Sequence, residues 1–248
     1  MNVRAISTVC GTTLALLWSA GSVSAQEEAG AAAAAKDPWS GKVSFGYLAT
    51  TGNSEATSVN GATEISYERG KWKHTLDASA LGSQDDVDTT AEAYQLGWKT
   101  DYSLGEFDYV FADLRWLKDK FSGYEQQTSE SIGYGRRVIN TDKHILNLEI
   151  GAGAKQAELR NGVSQDETIL LGTADYSWQL SETASFSQEL RVEAGDENTF
   201  LESVTALNAK IFKDLGLVIS YTVRNNSDVP LDTEKTDTFT AISLEYLF

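Results

Sequence analysis

The sequence predicts an all-β fold, a single antiparallel up-and-down transmembrane β-barrel of about twelve strands. Three observations carry that expectation. Apolar residues recur with period two from residue 39 to the end, the connections between those runs alternate between tight and long, and the chain opens with an export signal.

The signal occupies residues 1–25. Arg4 supplies the positive start, Leu14 to Trp18 anchor the apolar stretch, and Val23-Ser24-Ala25 offers a small-residue cleavage site. The apolar run is shorter than the ~20 residues a bilayer helix requires, so cleavage after Ala25 is expected. Cys10 precedes the main apolar stretch, which argues against a lipid anchor there. It is also the only cysteine, so disulfides and cysteine metal sites are excluded from the mature chain. Residues 26–38 are alanine-rich and lack strand periodicity, and read as a periplasmic linker.

Without Arg4 the mature chain carries 19 basic against 36 acidic side chains, a net charge of −17, which makes nucleic acid an unsuitable partner. Mean hydropathy is −0.30, yet aromatics make up 10% of the chain. A barrel reconciles the two, because only alternate residues face lipid. A soluble β-sandwich shares that periodicity and stays open as an alternative at this point.

From Trp39 the alternation is explicit. Trp39, Gly41, Val43, Phe45, Tyr47 and Ala49 share one face, and Ser40, Lys42, Ser44, Gly46 and Thr50 the other. Val59, Ile65 and Tyr67 then oppose Ser58, Asn60, Glu64, Ser66 and Glu68. Tyr94, Leu96, Trp98 and Tyr102 oppose Gln95, Lys99 and Asp101, while Leu146, Leu148, Ile150, Ala152 and Ala154 oppose Asn147, Glu149 and Lys155. Strands are expected over 39–50, 55–68, 72–82, 91–102, 107–117, 126–138, 144–156, 167–180, 185–194, 199–211, 216–225 and 236–248. In the fifth, Phe107, Tyr109 and Phe111 fall on one face and Leu114 and Trp116 on the other, so a bulge near Ala112 is expected.

Turns after even strands are tight, as at Arg69-Gly70-Lys71. Those after odd strands are mostly longer and polar: Ser83 to Thr90, Lys118 to Glu125, Glu158 to Asp166 and Asn226 to Lys235. That asymmetry is the pattern of bacterial outer-membrane barrels, with both termini on the short-turn, periplasmic side. Pro38 and Pro230 both lie outside the ladders. Trp39, Tyr67, Trp72, Tyr102, Phe107, Tyr109 and Trp178 near strand ends would form interfacial girdles. Ile242, Leu244, Tyr246 and the terminal Phe248 make an aromatic last strand that closes on the first, as hydrocarbon demands, and would be read by the barrel assembly machinery.

Gly46-Tyr47, Thr51-Gly52-Asn53-Ser54, Asp119-Lys120-Phe121-Ser122-Gly123, Gly133-Tyr134-Gly135 and the aromatic end together resemble the salt-induced outer-membrane protein family, domain of unknown function 481. The resemblance spans nearly the whole mature chain. It implies an outer-membrane barrel with involvement in salt or acid response, and supplies no catalytic, cofactor or metal residue.

Chemistry is sparse. His74 and His144 fall near short-turn ends, and no serine sits in a nucleophile motif, so the chain is not expected to be an enzyme; an outer-membrane lipid hydrolase is kept as an alternative. Asp85, Asp86 and Asp88, and Gly195-Asp196-Glu197-Asn198, are acidic loops without Ca²⁺-loop spacing that could share the ions bridging lipopolysaccharide, and no cofactor is expected.

The lumen is the expected seat of function. Inward candidates are Lys42, Glu64, Glu68, Asp77, Lys99, Asp101, Arg137, Glu149, Lys155, Asp175, Glu189, Arg191, Glu193, Arg224 and Glu245. Twelve strands give a width between plugged eight-stranded barrels and sixteen-stranded porins. A small channel for ions or solutes is therefore expected first, and a non-conducting structural or stress-induced barrel second.

Overall fold

The computed structural model describes residues 37–50, 56–85, 88–119, 124–160, 162–229 and 234–248. The signal, most of the linker, Thr51 to Ser54, Asp86 and Lys120 to Gly123 lie outside them. Among the described residues no helix is long and apolar enough to cross a membrane, which says nothing of strands.

Period-two alternation produces twelve strands: β1 (Trp39–Thr50), β2 (Ala56–Arg69), β3 (Trp72–Asp85), β4 (Asp88–Ser103), β5 (Asp108–Asp119), β6 (Tyr124–Asn140), β7 (His144–Leu159), β8 (Ser164–Gln179), β9 (Ala184–Gly195), β10 (Thr199–Phe212), β11 (Leu215–Asn226) and β12 (Thr236–Leu247). Each pairs antiparallel with its sequence neighbours, and β12 pairs with β1, so the sheet closes into a barrel. Closure removes the open edges that hydrocarbon would leave unsatisfied. The outer face is apolar: Ile132 is 71% exposed, Ile150 67% and Leu170 64%. Such exposure suits lipid and not water, which excludes the sandwich alternative.

The expected closure holds in detail. Val43 opposes Tyr246 and Ser44 opposes Glu245. Gly41 and Phe248 exchange two backbone hydrogen bonds of 2.9 and 3.0 Å. Phe248 lays its ring over Gly41, where a Cβ would come within 2.4 Å of it.

An aromatic girdle rings the short-turn rim. Trp39 packs on Tyr67 and Trp72 on Tyr102, each pair at 4.8 Å, and His144 stacks on Trp178.

Two expectations are corrected. The second hairpin's long connection is mostly strand: β3 runs to Asp85 and β4 starts at Asp88, where a loop over Ser83 to Thr90 was expected, whereas β11 ends at Asn226 and β12 starts at Thr236, as expected of the loop between them. Strands need only ~9–11 residues to cross, so strands of 12 to 17 residues carry the ladder past the membrane, where its own hydrogen bonds satisfy the backbone whatever the polarity of the side chains. The bulge near Ala112 does not exist. β5 keeps one register with β4 and with β6 throughout, so Tyr109 and Phe111 point inward and Val110, Leu114 and Trp116 outward. Tyr109 is therefore a lumen residue and no part of the girdle. Register shifts fall instead near strand ends, as between Ser83 and Gln84.

Candidate functional site

Alternation along every strand sends one set of side chains into the lumen, and their sizes divide it in two. Along β5 to β10 the inward side chains are bulky, including Tyr109, Phe111, Leu117, Ile169, Leu171 and Phe200, each no more than 6% exposed. Facing them, β1, β2, β11 and β12 contribute small ones, such as Ser44, Ala62, Ser220 and Ala241. One half of the barrel is filled and the other is hollow.

Glycines on β6 and β7 make the filled half possible. A Cβ on Gly135 would meet the Tyr109 ring at 2.2 Å, and one on Gly133 would meet Phe111 at 2.6 Å. The Gly133-Tyr134-Gly135 stretch is thus a flat bed for two lumen rings, while Tyr134 between them faces out.

Charged side chains bridge the lumen at mid-height. Arg115 on β5 donates to Glu202 on β10 and, at 2.6 Å, to Gln95 on β4. Glu202 also accepts from Arg224 Nε on β11 at 2.6 Å, and Arg224 reaches Asp119 at 3.5 Å and Gln95 at 3.3 Å. A second brace joins Arg191 on β9 to Asp113 on β5 at 2.7 Å and to Glu193 at 2.8 Å. Lys155 lies 3.3 Å from Glu193, both side chains 3% exposed, with its ammonium 5.0 Å from the Phe200 ring centre. Buried ions of this kind stay charged only when partnered from several sides.

Nearer the short-turn rim, Glu149 gathers three donors: Lys99, Tyr109 Oη at 2.7 Å and Thr173 Oγ1 at 3.0 Å. Lys99 sits 5.2 Å from the Phe111 ring centre, so β5 aromatics and a β7 carboxylate hold it together. On the hollow side Lys42 pairs with Glu64 at 3.1 Å.

Among the described residues, cavities of about 310 and 250 Å³ remain. They share Glu64, Asp77, Gln95, Glu189, Glu202 and Val204 as lining, so they adjoin beside the braces. Together their walls carry eight carboxylates against five cationic side chains.

The structure gathers most of the sequence-predicted lumen residues. Lys99, Asp101 and Glu149 meet, as do Lys155, Arg191 and Glu193, while Lys42, Glu64, Asp77, Asp175, Glu189 and Glu245 line the cavities. Arg224 joins the central brace. Arg137 stays at the short-turn rim, donating to the Glu106 carbonyl at 3.0 Å with its guanidinium 5.2 Å from the Tyr109 ring centre, and Glu68 is exposed near the same rim. Sequence reasoning missed Asp113, Arg115, Asp119 and Glu202. The alternation Asp113, Arg115, Leu117, Asp119 against Leu114 and Trp116 was there to be read on β5. On β10 the inward set mixes Phe200, Val204 and Ala206 with Glu202, which hides it.

Both histidines sit among outward-facing girdle side chains. His74 shares a 2.9 Å hydrogen bond with Thr100, and His144 one of 2.9 Å with Tyr176. Among the described residues no group of carboxylates and histidines could hold a metal ion. The acidic turn at Gly195 to Asn198 is tied down internally, its Glu197 and Asn198 amides donating to Glu167 at 3.1 and 3.3 Å.

Comparison with known proteins agrees with this geometry. An outer membrane channel from Pseudomonas putida F1 superposes over 85% of this chain and 95% of its own, with TM-score 0.51 and 10% identity. The translocator domain of the autotransporter NalP from Neisseria meningitidis covers 84% of this chain and 87% of its own, with TM-score 0.50 and 10% identity. At such identity these show the fold alone. The uncharacterized protein YdiY of Escherichia coli (strain K12) is 32% identical over 215 residues, 86% of this chain and 85% of that protein. The family described as "Protein of unknown function, DUF481" matches residues 43–248, from the first strand through the closing Phe248, and the chain belongs to that family.

Proposed function

We propose that this protein is an outer-membrane channel with a narrow, off-centre bore that passes small cations and small polar solutes. The observation that carries the reading is the pair of adjoining cavities that run beside the charged braces, with eight wall carboxylates against five cations. A pore wall with net negative charge raises the local concentration of cations and opposes anions. Export through a cleaved signal, insertion by the barrel assembly machinery through the strand ending in Phe248, and contact with lipid and lipopolysaccharide belong to the same reading. The salt and acid response implied by the family resemblance would then be a demand for controlled ion permeability.

Purified protein in planar bilayers tests it. Discrete currents are expected, with a reversal potential in a salt gradient displaced toward the cation. No current above the bare membrane at either polarity overturns the channel.

A second reading, a non-conducting structural barrel, is favoured by one observation: the Arg115 to Glu202 contact spans the lumen and narrows it. The same recording separates the two. Neither reading assigns enzymatic chemistry to the chain.

A further inference from the structure

The seam where β12 closes on β1 is unlike every other in the barrel. It pairs over only five register positions, from Lys42 opposite Leu247 to Gly46 opposite Ser243. Every other neighbouring pair of strands matches over ten to fifteen. Both strands run on past the end of this ladder. β1 continues to Thr50 paired only with β2, and β12 begins at Thr236 paired only with β11 over that stretch.

The end of the ladder is a built feature. Asn60 on β2 reaches across Gly46 to donate to Ser243 Oγ at 2.9 Å. A Cβ on Gly46 would lie 2.2 Å from Asn60 Oδ1 and 2.5 Å from the Ile242 carbonyl oxygen. The clasp therefore requires glycine, and it forms a sill at the last pair of the ladder.

Above that sill the facing edges of β1 and β12 have, among the described residues, no partner strand. Hydrocarbon does not tolerate such edges. The outward side chains of β12 locate the change of surroundings. Below the sill's level they are Leu244, Tyr246 and Phe248, at its edge Ile242, and above it Thr240, Thr238 and Thr236. The unpaired stretch therefore begins where the outward side chains of β12 turn to threonine and those beside it on β1 and β11 are Tyr47 and Tyr221, an interfacial level where water and amphipathic molecules reach it.

Behind the sill lies the 310 Å³ cavity, which touches the seam through Ser44, Asn60, Ala241 and Ser243. Its wall is two-natured. Leu81, Ala93, Val204 and Phe239 are apolar, while the carboxylates of Glu64, Asp77, Glu189, Glu202 and Glu245 outnumber the cations Lys42 and Arg224. A molecule complementary to both parts has a short apolar body and a cationic head.

We infer that the β1–β12 seam is a side window through which the hollow cavity exchanges amphipathic organic amines with the outer leaflet. The ligand class rests on the acidic bore described under the channel reading; the window itself does not.

Paired cysteine substitutions test both, in a chain whose only native cysteine is Cys10. Val43→Cys with Tyr246→Cys lies within the ladder and should form a disulfide spontaneously in outer membranes. Ala49→Cys with Thr240→Cys occupies positions that the same register would bring opposite if the ladder continued, and should not. Equal disulfide formation in both pairs overturns the window. Vesicles bearing the Ala49→Cys, Thr240→Cys protein are then loaded with dansylcadaverine, a fluorescent primary amine, before and after bridging the two thiols with a reducible bifunctional reagent. Amine entry should fall several-fold on bridging and recover on reduction, while potassium current through the same protein is unchanged. Entry that is unaffected by bridging overturns the amine route. If potassium current is absent but amine entry still responds to bridging, the channel reading falls and the window stands.

Discussion

Arg115 and Glu202 stand on opposite walls of the barrel, on β5 and β10, and the hydrogen bond between them crosses the lumen. Arg224 shares the carboxylate and Gln95 shares the guanidinium, so four strands meet at one point. Replacing Arg115 by alanine leaves Glu202 with one cation fewer in a buried site, a loss of about 3–5 kcal/mol. Arg115→Ala is expected to lower the midpoint of urea unfolding in vesicles and to raise unitary conductance several-fold. Unchanged conductance would mean that the brace does not limit the bore.

Gly46→Ala tests the sill. The added methyl meets Asn60 and the Ile242 carbonyl, and overpacking of this kind costs about 1–3 kcal/mol. The folded, heat-modifiable gel form should convert at lower temperature than in the parent. Gly61→Ala is the control, because its nearest new neighbour is Ser44 O at 3.8 Å, and it should match the parent.

Tyr109→Phe removes one of the three donors to Glu149 and keeps the ring on its glycine bed. A loss of about 0.5–1.5 kcal/mol is expected, because Lys99 and Thr173 remain. Gly135→Ala should cost more, since it lifts the whole ring away. Urea titration of both variants orders them, and the reverse order would remove the assigned role of Gly133-Tyr134-Gly135.

Deletion of Phe248 removes two backbone hydrogen bonds to Gly41 and the ring that covers it. The amount of folded protein in outer membranes should drop sharply. Phe248→Tyr, which keeps ring and backbone, should restore it. Wild-type levels after deletion would show that closure does not depend on the last residue.

Neither histidine is expected to support lipid hydrolysis. Purified protein should release no fatty acid from phospholipid vesicles. Release that is abolished by His74→Ala or His144→Ala would establish an enzyme after all.

Strand number, the strand limits at the short turns and the closing pair were legible because a strand's period is two and lipid selects one phase of it. Val43, Phe45, Tyr246 and Phe248 fix which face of the closing strands meets lipid, and the structure sets Val43 opposite Tyr246. Tyr109 and Phe111 were misread for the same reason that most aromatics were read correctly. Periodicity identifies a face, and an apolar face ordinarily means lipid. Here bulk inside the lumen is wanted too, and only the glycines opposite, on β6, reveal that the rings turn inward. The partners of Arg115 and Arg191 were not legible at all. They lie on strands far apart in sequence, and their meeting depends on barrel width and stagger. The strand extensions beyond the membrane were missed because polar residues such as Gln84 and Thr89 read as loop, although a hairpin ladder tolerates them.

The uneven filling of the lumen has a mechanical consequence. Struts such as Arg115 to Glu202 and Arg191 to Asp113 tie β5 to β9 and β10, and tightly packed rings and aliphatic side chains back them. A tube stiffened along one flank and empty along the other yields to squeezing on its empty flank. That flank contains β12 and β1, so lateral pressure in the membrane is turned into strain at the most weakly stitched joint of the wall.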